Sequence, residues 1–223
     1  MTRAEVEAFF SALRDANPEP ETELEFVNPY TLLVAVALSA QATDASVNLA
    51  TRPLFAKVRT PHAMVALGED ALRERIRTIG LFNTKARNVI ALSQALIDRH
   101  GGEVPADRDA LEALAGVGRK TANVVMNVAF GAETFAVDTH VFRVCNRTRL
   151  APGPTPLAVE AGLEAVTPPA FRRNAHHWLI LHGRHTCKAR VPECWRCPVT
   201  TLCAYPDKQW APAHPRSRRA PAT

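Results

Sequence analysis

Four of the chain's five cysteines, Cys187, Cys194, Cys197 and Cys203, are crowded together with gaps of six, two and five residues between them. An odd cysteine total argues against a disulfide framework. The N-terminus, Met1-Thr2-Arg3-Ala4-Glu5, also lacks the apolar stretch of a secretory leader. The expectation is a reducing cytoplasm, where thiolates stay available as ligands. Four thiolates suit either Zn²⁺ or an iron–sulfur cluster. Zinc ribbons and fingers usually present two Cys-x-x-Cys knuckles, whereas Cys194-Trp195-Arg196-Cys197 is the single knuckle here. The spacing therefore leans towards a cluster and leaves zinc open. Lys188 and Arg190 lie between the first two cysteines and Arg196 lies inside the knuckle, so a metal-stapled loop would present cations suited to phosphate. Cys145 sits among apolar neighbours as a packing residue. His176, His177, His182 and His185 lack a ligand spacing such as His-Glu-x-x-His and read as structural or polar.

The rest of the chain reads as all-α. Asn28-Pro29, Thr60-Pro61, Thr155-Pro156 and Thr167-Pro168 each join a capping side chain to a proline suited to the first helical position. Asn83 is a candidate cap for a helix through Val89, Leu92 and Leu96, ended by Gly101-Gly102. No segment alternates with period two. Eleven of the 17 prolines lie beyond residue 150, so irregular chain should concentrate there, and residues 212–223 read as a disordered basic tail. The longest apolar run, residues 32–40, is far short of the ~20 residues that span a bilayer.

Residues 107–130 carry a second constraint. Leu111, Leu114 and Val117 form the apolar side of one helix and its exit, and Ala122, Val125 and Ala129 form the buried stripe of the next. Between them Gly116-Val117-Gly118 permits a hairpin tight enough to leave main-chain N–H groups exposed where the second helix begins. Those donors, backed by the helix dipole, suit a phosphate oxygen. Arg119 separates Gly118 from Lys120, so this is no nucleotide P-loop. The formal charge of +5 and a pI near 9.2 agree with a polyanionic partner. Backbone contacts through Gly116, Val117, Gly118 and Arg119 would position a duplex without reading its sequence. Lys120 occupies the first helical turn, where the dipole disfavours a cation. Partial desolvation there would favour its neutral, nucleophilic form. Asp138, after the apolar run Phe135-Ala136-Val137, reads as the N-cap of a further helix.

Taken together, Leu38-Ser39-Ala40-Gln41-Ala42-Thr43-Asp44, the hairpin, residues 136–148, residues 176–184 and the cysteine spacing resemble the helix-hairpin-helix (HhH-GPD) DNA glycosylases over about residues 1–211. The resemblance implies two helical lobes flanking a DNA-binding cleft: a barrel over about 22–131, and a second lobe from 1–21 plus 132–211 that carries the C-terminal cluster loop. It implies a [4Fe–4S] cluster on Cys187, Cys194, Cys197 and Cys203. A monovalent cation on main-chain carbonyls near Glu112, Leu114 and Val117 is a further implication. Lys120 and Asp138 would face each other across the cleft, Lys120 as nucleophile and Asp138 assisting. Gln41 would fill the space left by a flipped base and Leu81 would wedge the opposite side. Lys188 and Arg190 would grip the backbone.

The implied activity is a bifunctional glycosylase and abasic-site lyase acting, as a monomer, on double-stranded DNA with damaged pyrimidines or abasic sites in a bacterial cytoplasm. The competing readings are a paralogue with another lesion preference, an adenine glycosylase, and a non-catalytic DNA-binding module. An adenine glycosylase usually lacks the hairpin lysine and carries an extra C-terminal domain. A binding module has no need of both Lys120 and Asp138.

Overall fold

The computed structural model describes residues 1–212, and the tail expected beyond them lies outside the described residues. Eleven α-helices and a short 3₁₀ turn account for the regular structure, with no strand among the described residues. No described helix is long and apolar enough to cross a membrane.

Local capping explains most helix starts. α1 (Arg3–Ala16) opens on a capping box between Thr2 and Glu5. α2 (Pro29–Leu38) opens on Asn28, whose side chain accepts from the Thr31 amide, with Pro29 at the first position. α3 (Asp44–Phe55) is capped by Thr43, and α4 (Pro61–Leu67) by Thr60 ahead of its proline. α5 is Glu69–Arg75, α6 is Phe82–His100 and α7 is Arg108–Glu112. α8 is Arg119–Phe130 and α9 is Thr139–Thr148. α10 (Pro156–Val166) repeats the Thr-Pro start at Thr155, and α11 is Pro169–His185.

Two expected starts are displaced. Asn83 does not cap α6: Leu81, in the left-handed region, occupies the cap position without a side-chain cap, and Lys85 N–H donates to the Leu81 carbonyl at 3.0 Å. The tight turn itself sets the start, one residue before the polar side chain. Thr167 instead ends α10, and Pro168 precedes α11. A residue before proline is driven out of the α region, and Pro168 precedes Pro169, so the helix begins one residue later than its Thr-Pro signal.

The chain divides into two compact units. One comprises Glu21–Ala136 and Arg172–His176. Here α2 is buried on almost every side, from Tyr30 to Leu38, and packs against α3, α6 and α8, while α4 and α5 pack on α6. Its core includes Leu32, Leu33, Leu38, Leu54, Met64, Leu72, Leu92, Leu111 and Val125. The other unit comprises Met1–Pro20, Val137–Phe171 and the chain from His177 onward. Phe10 stacks on Phe171 at 5.7 Å and packs near Trp178, whose indole N–H donates to the Asn17 carbonyl at 2.8 Å. α11 approaches α9 so closely that a Cβ on Gly183 would lie 2.8 Å from the His140 Cβ.

Candidate functional site

Within the first unit, α7 and α8 form the hairpin. Leu111, Leu114 and Val117 are buried under it, while Gly116 and Gly118 are exposed. Gly116 adopts φ +76, and a Cβ there would meet the Asn88 amide nitrogen at 2.8 Å, so both conformation and space demand glycine. Gly118 has an ordinary extended backbone at φ −102 and ends in a helix start with no side-chain cap. The α8 N-terminus therefore retains its anion-binding character. Lys120, the second residue of α8, is exposed. Desolvation of its amine thus requires a bound partner rather than the protein interior. Behind it, Ala122 and Val125 are fully buried and Ala129 is half-buried.

Among the described residues only Gln41, Leu81 and Arg149 are non-glycines at positive φ, with values of 57, 60 and 63. Two of the three are the residues expected to enter DNA. Both are exposed, and Leu81 keeps 60% of its surface. Their turns adjoin: a Cβ on Gly80 would lie 4.0 Å from the Gln41 carbonyl oxygen. Side chains held outward on left-handed backbone carry a cost that burial does not offset, a pattern found where strain serves function.

In the second unit, Asp138 N-caps α9, its Oδ1 accepting from the amides of His140 at 2.8 Å and Val141 at 2.9 Å. Both bonds fall on one oxygen, and the residue is half-buried. Farther along α9, Arg143 donates through Nε to the Cys187 carbonyl at 2.9 Å and through Nη2 to the Gly183 carbonyl at 2.7 Å. Arg147 donates to the carbonyls of Lys188 at 2.7 Å and Ala189 at 2.8 Å, and its guanidinium lies 4.6 Å over the Tyr205 ring.

The helix thus grips the cysteine loop. Cys187, Cys194, Cys197 and Cys203 all line one pocket, together with Thr148, His182 and Tyr205. No three His, Cys, Asp or Glu side chains among the described residues gather closely enough for a single metal ion. Thiols set around a shared space fit a multi-atom cluster better than a lone ion. Burial pushes the Cys197 thiol up to about 11, so ligation there must release a proton. His182 Nε2 lies 3.7 Å from the Cys197 sulfur, and burial, aided by Arg196, pushes its ring down to about 4.

Lys188 does not stand free: its Nζ pairs with Glu193 at 2.6 Å, and Arg196 pairs with the same carboxylate. Those hydrogen bonds, from Lys188 first and then Arg196, hold the Glu193 carboxyl below its ordinary range. Arg190 is exposed. His182, expected in a structural or polar role, stands beside the cysteines, whereas nothing in the sequence analysis points to Arg143, Arg147, Tyr205 or Glu193. The basic periodicity of α9, Arg143 and Arg147 on one face, is the signal that could have found two of them.

Residues 34–169 match the family model for the HhH-GPD superfamily of base excision DNA repair proteins. The chain is 58% identical over 196 residues to endonuclease III of Haemophilus influenzae, covering 88% of this chain and 93% of that one. It is 55% identical over 208 residues to endonuclease III of Escherichia coli K12, covering 93% and 99%. Among solved structures it is similar to a trapped endonuclease III–DNA covalent intermediate, with TM-score 0.85 and 46% identity over 91% of this chain and 96% of that one. It is also similar to a non-covalent endonuclease III–DNA complex, with TM-score 0.86 and 45% identity over 91% and 95%.

Proposed function

Because this chain belongs to the HhH-GPD superfamily of base excision DNA repair proteins, we infer that it removes oxidised pyrimidines from duplex DNA and then cuts the strand at the resulting abasic site. The observation that carries this is Lys120, an exposed amine at the second position of a helix whose uncapped N-terminus suits phosphate. The similarity to a covalently trapped endonuclease III–DNA complex supports a covalent step.

A lesion inside a duplex must first be rotated out of the stack, at a cost of a few kcal/mol that is least for a badly paired base. Gln41 fills the vacated space and Leu81 wedges the other side. The hairpin, through Gly116, Val117, Gly118 and Arg119, holds the backbone; carbonyls near Glu112, Leu114 and Val117 would hold a monovalent cation, which would add positive charge for a phosphate. Neutral Lys120 then attacks the sugar C1′, forming a C–N bond as the base departs with its bonding electrons and takes up a proton. Asp138 supplies negative charge that stabilises the cationic sugar and takes up the proton that the amine loses on attack. After ring opening the iminium acidifies the C2′ proton. Loss of that proton expels the 3′ phosphate, and water finally releases Lys120. Every step is redox-neutral.

Cys187, Cys194, Cys197 and Cys203 would hold a [4Fe–4S] cluster, which when bound supplies iron–thiolate cross-links that fix the loop. Lys188 and Arg190 on that loop meet the DNA backbone. The unit of residues 21–136 serves as the DNA-gripping barrel, and the unit with the cysteines as the cluster lobe. The setting is the bacterial cytoplasm, on the nucleoid, with the protein as a monomer.

Borohydride trapping on a duplex bearing thymine glycol tests the assignment. Wild type forms a covalent adduct and Lys120→Ala forms none, so an adduct that survives Lys120→Ala refutes the nucleophile. Asp138→Asn slows both steps while leaving DNA affinity largely intact. An equal collapse of binding would make Asp138 chiefly a helix cap.

A further inference from the structure

The cysteine loop carries three cations and its own counter-charge. Arg190 has no hydrogen-bond or ion-pair partner among the described residues and is exposed. Lys188 and Arg196 instead converge on Glu193. Lys188 Nζ donates to Oε1 at 2.6 Å, and Arg196 Nε donates to Oε2 at 2.5 Å. Arg196 Nη2 also reaches the His185 carbonyl at 2.8 Å. The carboxylate side chain is only 18% exposed, whereas those of Lys188 and Arg196 remain 46% and 54% exposed. One acidic group thus bridges the stretch after Cys187 to the Cys194–Arg196 turn, with both of its cations still facing solvent.

We propose that Lys188, Arg190 and Arg196 form one phosphate-binding surface and that Glu193 masks part of it. The carboxylate stands between Lys188 and Arg196 where a DNA phosphate would stand, and backbone binding exchanges one anion for the other. Lys188 and Arg196 are about half exposed, so solvent screens their hold on Glu193, and a DNA phosphate offers both cations charge-assisted hydrogen bonds of the same kind. The mask lowers sequence-independent affinity, which comes almost wholly from phosphate contacts. A protein that must leave undamaged DNA to find rare lesions gains from that. The inference rests on the loop meeting the DNA backbone, as assigned above, and adds Arg196 and Glu193 to that contact.

The test is fluorescence anisotropy of the full chain, cluster-loaded as judged by visible absorption and iron content, on undamaged and abasic-analogue duplexes from 50 to 300 mM salt. Each added phosphate contact steepens the slope of log K against log salt by about 0.9 and is worth roughly threefold in affinity over a fourfold change in salt. Glu193→Gln is expected to bind both duplexes about three- to tenfold more tightly at low salt. In a Lys188→Gln/Arg196→Gln background the same change has no effect. Glu193→Gln that binds no more tightly, or that tightens equally in that background, overturns the exchange. Should Glu193→Gln shed the cluster, Lys188→Gln and Arg196→Gln decide alone. Each flattens the slope by about one unit if its cation transfers to phosphate, and leaves it unchanged if the cation stays on Glu193. Arg190→Gln, which touches no part of the bridge, reports separately on whether the loop meets the backbone at all.

Discussion

Leu81 offers a direct measure of strain kept for function. Its backbone lies at φ 60, ψ 27 and its side chain is 60% exposed. Left-handed backbone costs an L-residue about 1–2 kcal/mol. Alanine keeps the Cβ and therefore the strain, whereas glycine removes it but loses about 0.5–1 kcal/mol to the greater freedom of its unfolded chain. Leu81→Gly should accordingly be about 0.5–1 kcal/mol more stable than Leu81→Ala. For a chain of this length that is a melting-temperature difference of roughly 1–4 °C, readable by calorimetry. Both variants lose the side chain proposed to enter the duplex, so both should remove lesions far more slowly than wild type. Stability and activity then move apart in the glycine variant. A Leu81→Gly protein that melts at or below Leu81→Ala would refute the strain, and wild-type lesion removal by either variant would refute the wedge.

Other positions yield sharper single outcomes. Gly183→Ala places a Cβ 2.8 Å from the His140 Cβ and 3.1 Å from the His140 carbonyl oxygen. Backbone cannot yield as a side chain can, so thermal melting should show a loss of about 1–3 kcal/mol. Lys85 is 7% exposed, and its Nζ finds no hydrogen-bond partner among the described residues. Lys85→Met should therefore stabilise by about 1–3 kcal/mol in urea unfolding. Burial lowers the Lys85 pKa from 10.5. The cost of its charge is thus present at neutral pH and is relieved as pH rises from that lowered value to 10.5. Wild-type stability should gain a component over that window that is missing from Lys85→Met. Arg147→Lys keeps the charge but not the planar fork that reaches two carbonyls and covers Tyr205. Absorbance of the proposed cluster should then decay faster in the variant than in wild type, and an equal decay would show that the fork is dispensable.

Much of the candidate site was legible before any coordinates. The cysteine quartet, the Gly116 hairpin, Lys120 beyond it and Asp138 at a helix start are all short-range statements. Thiols with ligand spacing, a glycine at a turn, and a side chain capping an amide two or three residues away need no distant partner. The starts at Asn28, Thr60 and Thr155 follow for the same reason. The starts at Asn83 and Thr167 were misread because a left-handed turn at Leu81 and a second proline at 169 overrode an adequate local cap.

What composition and spacing determine, then, is where most helices begin, which loop gathers four thiols and where an amine and a carboxylate stand at helix starts. Tertiary structure alone decides that Gln41 and Leu81 stand outward on left-handed backbone, that Lys85 is shut away from water, and that Arg147 crosses 41 residues of chain to hold the Lys188 carbonyl. It also turns Lys188 from a free cation into one shared with Arg196 on Glu193. The physical reason is range. A cap or a glycine turn is settled by neighbours along the chain, whereas burial, strain and ion pairing depend on which surfaces packing brings together.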